Sequence, residues 1–270
     1  MKQLRKAVVL LLLLSFIAPH PPVSAAPVKA GWKKKAGGFV FYNEKGKLVK
    51  ATAKEKYKII DHGKSRYAVN AKGFQVHGWR KIGKKYYYFR FGNGDGGRMV
   101  RGKTVQAVPI GKDGAAKLSS TRVKRKLALM AKFSEWADGI TKKIPLASRK
   151  VKLKKIYDYL RRLPYRSVGS LRKSDPNWDI WGAEYVYKYR RFDCHTVAAT
   201  FAYLANAIGC SNVTIYMAQT GRYQHGFTSV GNLYYDTSLG RNNKKSYKLF
   251  GMKRYWYTSF VKLKRNISKK

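Results

Sequence analysis

The sequence predicts an α+β protein: a run of basic β-hairpins, then a core in which one apolar helix packs on an antiparallel sheet. Three observations carry that expectation. A Gly-Trp…aromatic pattern recurs between Gly31 and Gln106; the spacing of apolar residues changes from two to near 3.6 beyond Arg122; and a well-capped helix from Cys194 is followed by a hairpin signal at Gly231-Asn232.

The N-terminus reads as an export signal. Lys2, Arg5 and Lys6 precede an apolar run from Ala7 to Ala18, and Val23-Ser24-Ala25 offers the small residues of a cleavage site. That run is shorter than the roughly 20 residues a membrane span needs. Prolines at 19, 21 and 22 stop it from lengthening. The expectation is therefore a signal peptide over 1–25 and an exported chain without an integral membrane span. Lys and Arg number 58 against 13 Asp and Glu, a formal charge of +45. Such a field gathers anionic partners. For an exported chain, anionic cell-wall polymers or peptidoglycan are nearer partners than nucleic acid, which is not expected. A generally basic surface kept soluble by repulsion is the plainer alternative. With 14% aromatic residues the chain can fill a core.

The hairpin region is placed at 26–105. Gly31-Trp32-Lys33-Lys34 leads through Gly37-Gly38 to Phe39-Val40-Phe41-Tyr42. Gly78-Trp79-Arg80-Lys81 repeats it, through Gly83 to Tyr86-Tyr87-Tyr88-Phe89, and a degenerate unit runs from Gly63 to Gly73. Each unit reads as two short strands around a Gly-containing turn, too small to bury its own face. These paired Gly-Trp…Tyr-Tyr-Phe units resemble the cell-wall-binding repeats of the choline- and glucan-binding type. The resemblance implies that aromatics of successive repeats form ligand cages, which makes Trp32, Trp79 and Tyr87 candidate binding residues. The same rings serve equally well as hairpin packing.

Pro109, Gly111, Gly114 and Ser119-Ser120 mark residues 106–122 as a linker, and 123–270 as the second domain. Leu127, Met130, Ala131 and Phe133 predict a helix ending by Asp138-Gly139. Ser148 caps a second, striped by Val151, Ile156, Tyr157 and Leu160 and stopped by Pro164; Ser167 to Asp179 reads as loop.

Asp193 is a good N-cap and Gly209 a good C-terminal stop for a helix from Cys194 to Ile208. Apolar residues at 197, 201, 204, 205 and 208 mark its buried face, and Cys194 falls on the same line. A thiol at a helix N-terminus meets unpaired amides and the positive end of the macrodipole, which favour the thiolate. Adjacent helical residues do not face each other, so His195 is not its base. His225 opens a strand that turns at Gly231-Asn232. With a two-residue turn, Val230 faces Leu233 and Phe227 faces Asp236, so His225 lies diagonal to Asp236 at roughly 7–8 Å between Cα atoms. A thiol, an imidazole and a carboxylate in that order satisfy nucleophile, base and orienter.

The segments Cys194–Gly209, His225-Gly226-Phe227 and Gly231–Asp236, with Lys155–Leu160 more weakly, resemble the transglutaminase-like core, which shares its arrangement with papain-like proteases. The resemblance implies a Cys194, His225, Asp236 triad that forms an acyl-enzyme from an amide or peptide bond of a protein or peptide substrate and needs no cofactor. Hydrolysis and cross-linking use the same residues, and both remain open. Phe227 and Thr237 stand where the family often has Trp and Pro. No side chain is assigned to the oxyanion hole; Trp178 and Trp181 are upstream candidates. Sixteen residues of helix would hold Cys194 and Cys210 roughly 24 Å apart, beyond the about 7 Å of a disulfide. A zinc site lacks the close ligand spacing such sites use. The alternative reading is a catalytically inactive wall-binding or scaffold protein that uses its basic hairpins.

Overall fold

A computed structural model describes residues 29–168, 175–239 and 249–269; the expected signal peptide lies outside them. Three hairpins form where two-residue turns interrupt aromatic runs. Strands β1 (Gly31–Lys35) and β2 (Gly38–Tyr42) pair, then β3 (Tyr57–His62) and β4 (Ser65–Asn70), then β5 (Gly78–Ile82) and β6 (Lys85–Phe89). Gly63 and Gly83 open the second and third turns at φ +56 and +59, a region closed to most side chains. Backbone bonds stitch the units together: Gln75 N–H donates to Phe39 O at 2.8 Å, and Met99 N–H to Arg66 O at 2.6 Å. Small shared cores fill the junctions. Phe41, Ile60, Tyr67 and Val69 form one, and Tyr57, Ala68, Val76, Phe89 and Met99 the next. Each unit thus buries its face against its neighbour.

Residues 106–122 are more than a spacer. They hold strand β8 (Val108–Pro109), which pairs with β7 (Thr104–Val105), and the first residues of helix α1 (Thr121–Ile140). Val108 and Ile110 join Trp79 and Tyr86 in the same core as the helices. Gln106 bridges the two regions, accepting from Trp79 Nε1 at 2.9 Å and donating to Asn206 O at 3.2 Å. The third hairpin and the helical part are therefore one packed body.

Ser120 and Ser148 cap α1 and α2 (Arg149–Arg161) through their hydroxyls. Helix α3 (Trp178–Tyr189) begins inside the stretch read as loop. Its pattern hides because it carries Gly182 mid-helix, where α3 crosses the next helix and a Cβ would lie 3.5 Å from Ala199. Helix α4 (Cys194–Ala207) is buried on every residue except His195. The one-sided stripe expected for it is replaced by burial all round, since α1 and α3 cover the side away from the sheet. That sheet runs β12 (Phe250–Met252), β11 (Leu233–Tyr235), β10 (Tyr223–Val230), β9 (Val213–Thr220), β13 (Val261–Asn266), every neighbour antiparallel. No helix among the described residues is long and apolar enough to cross a membrane.

Candidate active site

The first turn of α4 is fixed by reciprocal capping. Asp193 Oδ1 accepts from Thr196 N–H at 2.9 Å, and Thr196 Oγ1 accepts from Asp193 N–H at 3.0 Å. Strand β10 meets this turn backbone to backbone at Gly226, where a Cβ would stand 2.7 Å from Cys194 O and 2.8 Å from His195 Cα. This contact places His225, the preceding residue, beside the thiol.

Across the Gly231-Asn232 turn, Val230 pairs with Leu233 and Thr228 with Tyr235, the register that a two-residue turn dictates. Asp236 follows and is diagonal to His225. Their side chains meet, His225 Nε2 lying 2.5 Å from Asp236 Oδ2. The other ring nitrogen is left for Cys194, whose interaction with the imidazole helps to hold its proton. The thiol lies 3.7 Å from Gln224 O. Cys194, His225 and Asp236 are 9%, 6% and 0% exposed, so their interactions are little screened by water. Burial opposes a charged imidazole, but hydrogen bonds to Asp236 and Cys194 outweigh it and raise His225 to about 9. Burial likewise opposes the Asp236 carboxylate; His225 and further donors overcome this and hold it below its ordinary value.

One of these donors lies beyond local sequence reasoning. Tyr255 donates its hydroxyl to the Asp236 oxygen that also meets His225. The opposite oxygen accepts from Leu239 N–H at 2.9 Å and from the Ser238 hydroxyl at 3.1 Å. The ring of Tyr257 covers the imidazole at 4.5 Å between centroids. Both tyrosines come from the segment between β12 and β13, about twenty residues past Asp236, and no spacing rule links them to it. Replacing Tyr255 by phenylalanine removes one donor from the carboxylate and raises the pH at which Asp236 protonates. The expected outcome is a roughly tenfold loss of activity on the acid side, recovered near neutrality, checked by a pH–rate profile.

Tyr165 is a third unforeseen neighbour. Its strand-like backbone pairs with Phe192, two residues before the thiol, through Arg166 N–H to Phe192 O at 2.8 Å and Phe192 N–H to Pro164 O at 3.0 Å. Tyr165 lies near enough to Cys194 to feel its charge. Burial first, and then the charges of Cys194 and Asp193, raise its phenol above the usual tyrosine value. Trp178, by contrast, is packed in the core, and Trp181 lies against Tyr185 along α3.

The aromatic binding candidates separate. Trp79 is 1% exposed and bonded to Gln106, so it packs the third hairpin on the helices and offers no face to a ligand. This corrects its candidacy. Tyr87 is half-buried against the core of the second junction. Trp32 is half-buried, edge-on to Phe41 and Tyr67, and its Nε1 is buried without a partner.

No family model and no curated protein matches the chain. Solved structures do. The choline-binding domain of Spr1274 from Streptococcus pneumoniae is 24% identical over 34% of this chain and 99% of its own, with a TM-score of 0.27. The similarity is to choline-binding repeats. The modular Cpl-1 endolysin, complexed with a peptidoglycan analogue, is 24% identical over 36% of this chain and 27% of its own, at TM-score 0.27. Choline-binding protein F of Streptococcus pneumoniae is 21% identical over 33% of each chain, at 0.21. The present chain thus spans about a quarter of the endolysin. Likeness at this level transfers no ligand and no activity.

Proposed function

We propose that the protein is an exported, wall-associated cysteine enzyme of the transglutaminase-like kind, acting on amide or peptide bonds. What supports this reading above all is the meeting of a thiol, an imidazole and a buried carboxylate at the start of α4, the imidazole bonded to the carboxylate and raised in pKa by both others. In the reaction, His225 takes the thiol proton and the sulfur of Cys194 attacks the carbonyl carbon. The carbonyl oxygen becomes an oxyanion at the start of α4, beside the Cys194 backbone N–H. His225 then protonates the leaving amine, and the C–N bond breaks to leave a thioester. Water, deprotonated by His225, attacks the thioester and returns the thiolate; an amine in place of water gives a cross-link. We favour hydrolysis.

Asp236 orients the ring and stabilises its cation. A folded pKa of about 9 for His225, above the ordinary 6.5, means that the imidazolium's contribution is complete below 6.5 and lost as pH rises through 9. The lowered pKa of Asp236 means that its contribution is present above the ordinary carboxylate range and lost as pH falls below it. A bell-shaped profile with its alkaline limb near 9 is expected; an alkaline limb near 6.5 would remove the Asp236–His225 coupling from the account.

The deciding experiment offers the full chain glutaminyl peptides with and without a labelled primary amine, and looks for the acyl-enzyme at Cys194 by mass spectrometry. Thioester formation with label transfer identifies cross-linking, and formation without transfer identifies hydrolysis. Absence of any thioester from a broad peptide panel counts against catalysis.

A second reading, a wall-binding protein without catalysis, is favoured by the hairpin array. Because Trp79 and Tyr86 belong to the shared core, deleting the hairpins would unfold the rest. Trp32→Ala is the cleaner probe. Several-fold weaker retention on purified cell wall is expected if the first junction holds a wall ligand, and unchanged retention assigns Trp32 to packing.

A further inference from the structure

We propose that the cleft between the first two hairpins and the connection from α1 to α2 binds a linear phosphodiester polymer with hydroxyl-bearing units. The cleft has a volume of about 530 Å³ and is walled by Phe39 and Phe74 on the hairpin side and by Thr141, Pro145 and Leu146 on the other. It runs into a smaller recess of about 190 Å³ that shares His77, Asn93 and Lys152 with it and adds Arg149. Two adjoining cavities fit a chain better than a single ion.

Its charge is one-sided. Lys72, Lys142, Lys143 and Lys152 line it. Among the described residues none of these four forms an ion pair, as holds for most lysines of the chain; what sets them apart is that they converge on one cleft. The one carboxylate in the lining, Asp138, is taken by Arg80 at 2.5 Å. Lys152 is partly buried, which disfavours its charged form; an anion in the cleft would relieve that penalty. Ammonium groups spaced along a channel suit phosphates separated by neutral units.

The neutral groups indicate hydroxyls. Gln75 lines the cleft and carries a buried Oε1 without a partner, an acceptor for an O–H and not for an anion. Asn93, in the shared recess, makes no capping bond with its side chain. Nucleic acid fits less well. Single strands are held by stacking bases on exposed rings, but Phe39 and Phe74 are half-buried, and the exposed large apolar residue of the lining is Leu146. The polymer is thus a polyol or sugar phosphate. That choice of polymer rests on the wall-directed part of the proposed function; the site itself uses none of the residues around Cys194.

The test measures anisotropy of end-labelled poly(glycerol phosphate), about ten units long, at about 0.15 M salt, where distant surface charge is screened. Lys72→Gln/Lys142→Gln/Lys143→Gln is compared with the charge-matched Lys45→Gln/Lys47→Gln/Lys84→Gln on exposed turns. The cleft triple is expected to lose about tenfold in affinity and the control less than about twofold. Equal losses would reduce the binding to net charge and overturn the site. Oligothymidylate of matched charge binding as tightly, with the same dependence on the cleft lysines, would overturn the polymer class. Should the cleft variant fail to fold, acetylation footprinting of the unaltered protein decides. Protection of Lys72, Lys142, Lys143 and Lys152 by the polymer supports the site, and its absence refutes it. Binding by Cys194→Ala is expected to be unchanged, which separates this outcome from the fate of the catalytic reading. Cleft binding without retention on isolated walls would sink the wall assignment alone.

Discussion

Replacing Cys194 by alanine is expected to abolish amide-bond activity, a fall of at least about 10⁴-fold, with the fold retained. Among the described residues the sulfur is the nucleophile set beside the imidazole, and its removal leaves the cap of α4 and the His225–Asp236 contact in place. His225→Ala is expected to be about as damaging to activity, and the double variant little worse than either, because residues acting as one unit do not add. The two single variants differ in stability. Without His225, Asp236 is a buried carboxylate deprived of its cation, and a loss of about 3 kcal/mol is expected. Its bonds from Tyr255, Ser238 and Leu239 limit that loss. Thermal melting of the two variants, alongside their activity, checks both halves. Residual activity in Cys194→Ala would refute the mechanism.

The second large effect is expected at a residue that touches no substrate. Gly226→Ala puts a methyl group 2.7 Å from Cys194 O, 2.8 Å from His195 Cα and 3.0 Å from Cys194 C. All three are backbone atoms, so no rotamer change can relieve the clash. Either α4 lifts from β10 or the strand bows away. Overpacking of this kind destabilises by about 3 kcal/mol, which in a domain of this size lowers Tm by about 6–12 °C. The thiol and imidazole are set on opposite sides of this contact, so a shift of about 1 Å is expected to lower activity about 100-fold as well. Gly221→Ala is the control: its φ of +55 carries some strain, but a Cβ there meets nothing within 4 Å. A Gly226→Ala protein that melts and turns over like its parent would show that helix and strand do not depend on this close approach.

The parts of the site legible in the sequence are those ruled locally. Asp193 and Thr196 are three residues apart and cap the helix by that spacing alone. Gly231, at φ +59, makes the tight turn, and the turn sets the diagonal from His225 to Asp236. What escaped the sequence depends on chain segments meeting from afar. Tyr255 and Tyr257 reach the triad from beyond β12, and Tyr165 reaches it through its pairing with Phe192. Trp79 reads equally as a ligand ring and as hairpin packing, because its repeat resembles ligand-binding ones; helix α1 and Gln106 bury it. The same packing turns the expected linker into part of the core, and the burial of α4 on all sides follows from a third helix whose Gly182 masks its period.

The most direct measurement is iodoacetamide labelling across pH, read separately at Cys194 and Cys210 by mass spectrometry. Cys210 is a built-in reference, since burial pushes its thiol up to about 11. The account predicts rapid labelling of Cys194 at about pH 6.5, where an ordinary thiol of pKa about 8.5 is almost wholly protonated. It also predicts that His225→Ala removes this rapid phase while Cys210 stays unlabelled in both proteins. Labelling of Cys194 only under alkaline conditions, unchanged by His225→Ala, would contradict an activated nucleophile and leave the hairpins as the working part of the molecule.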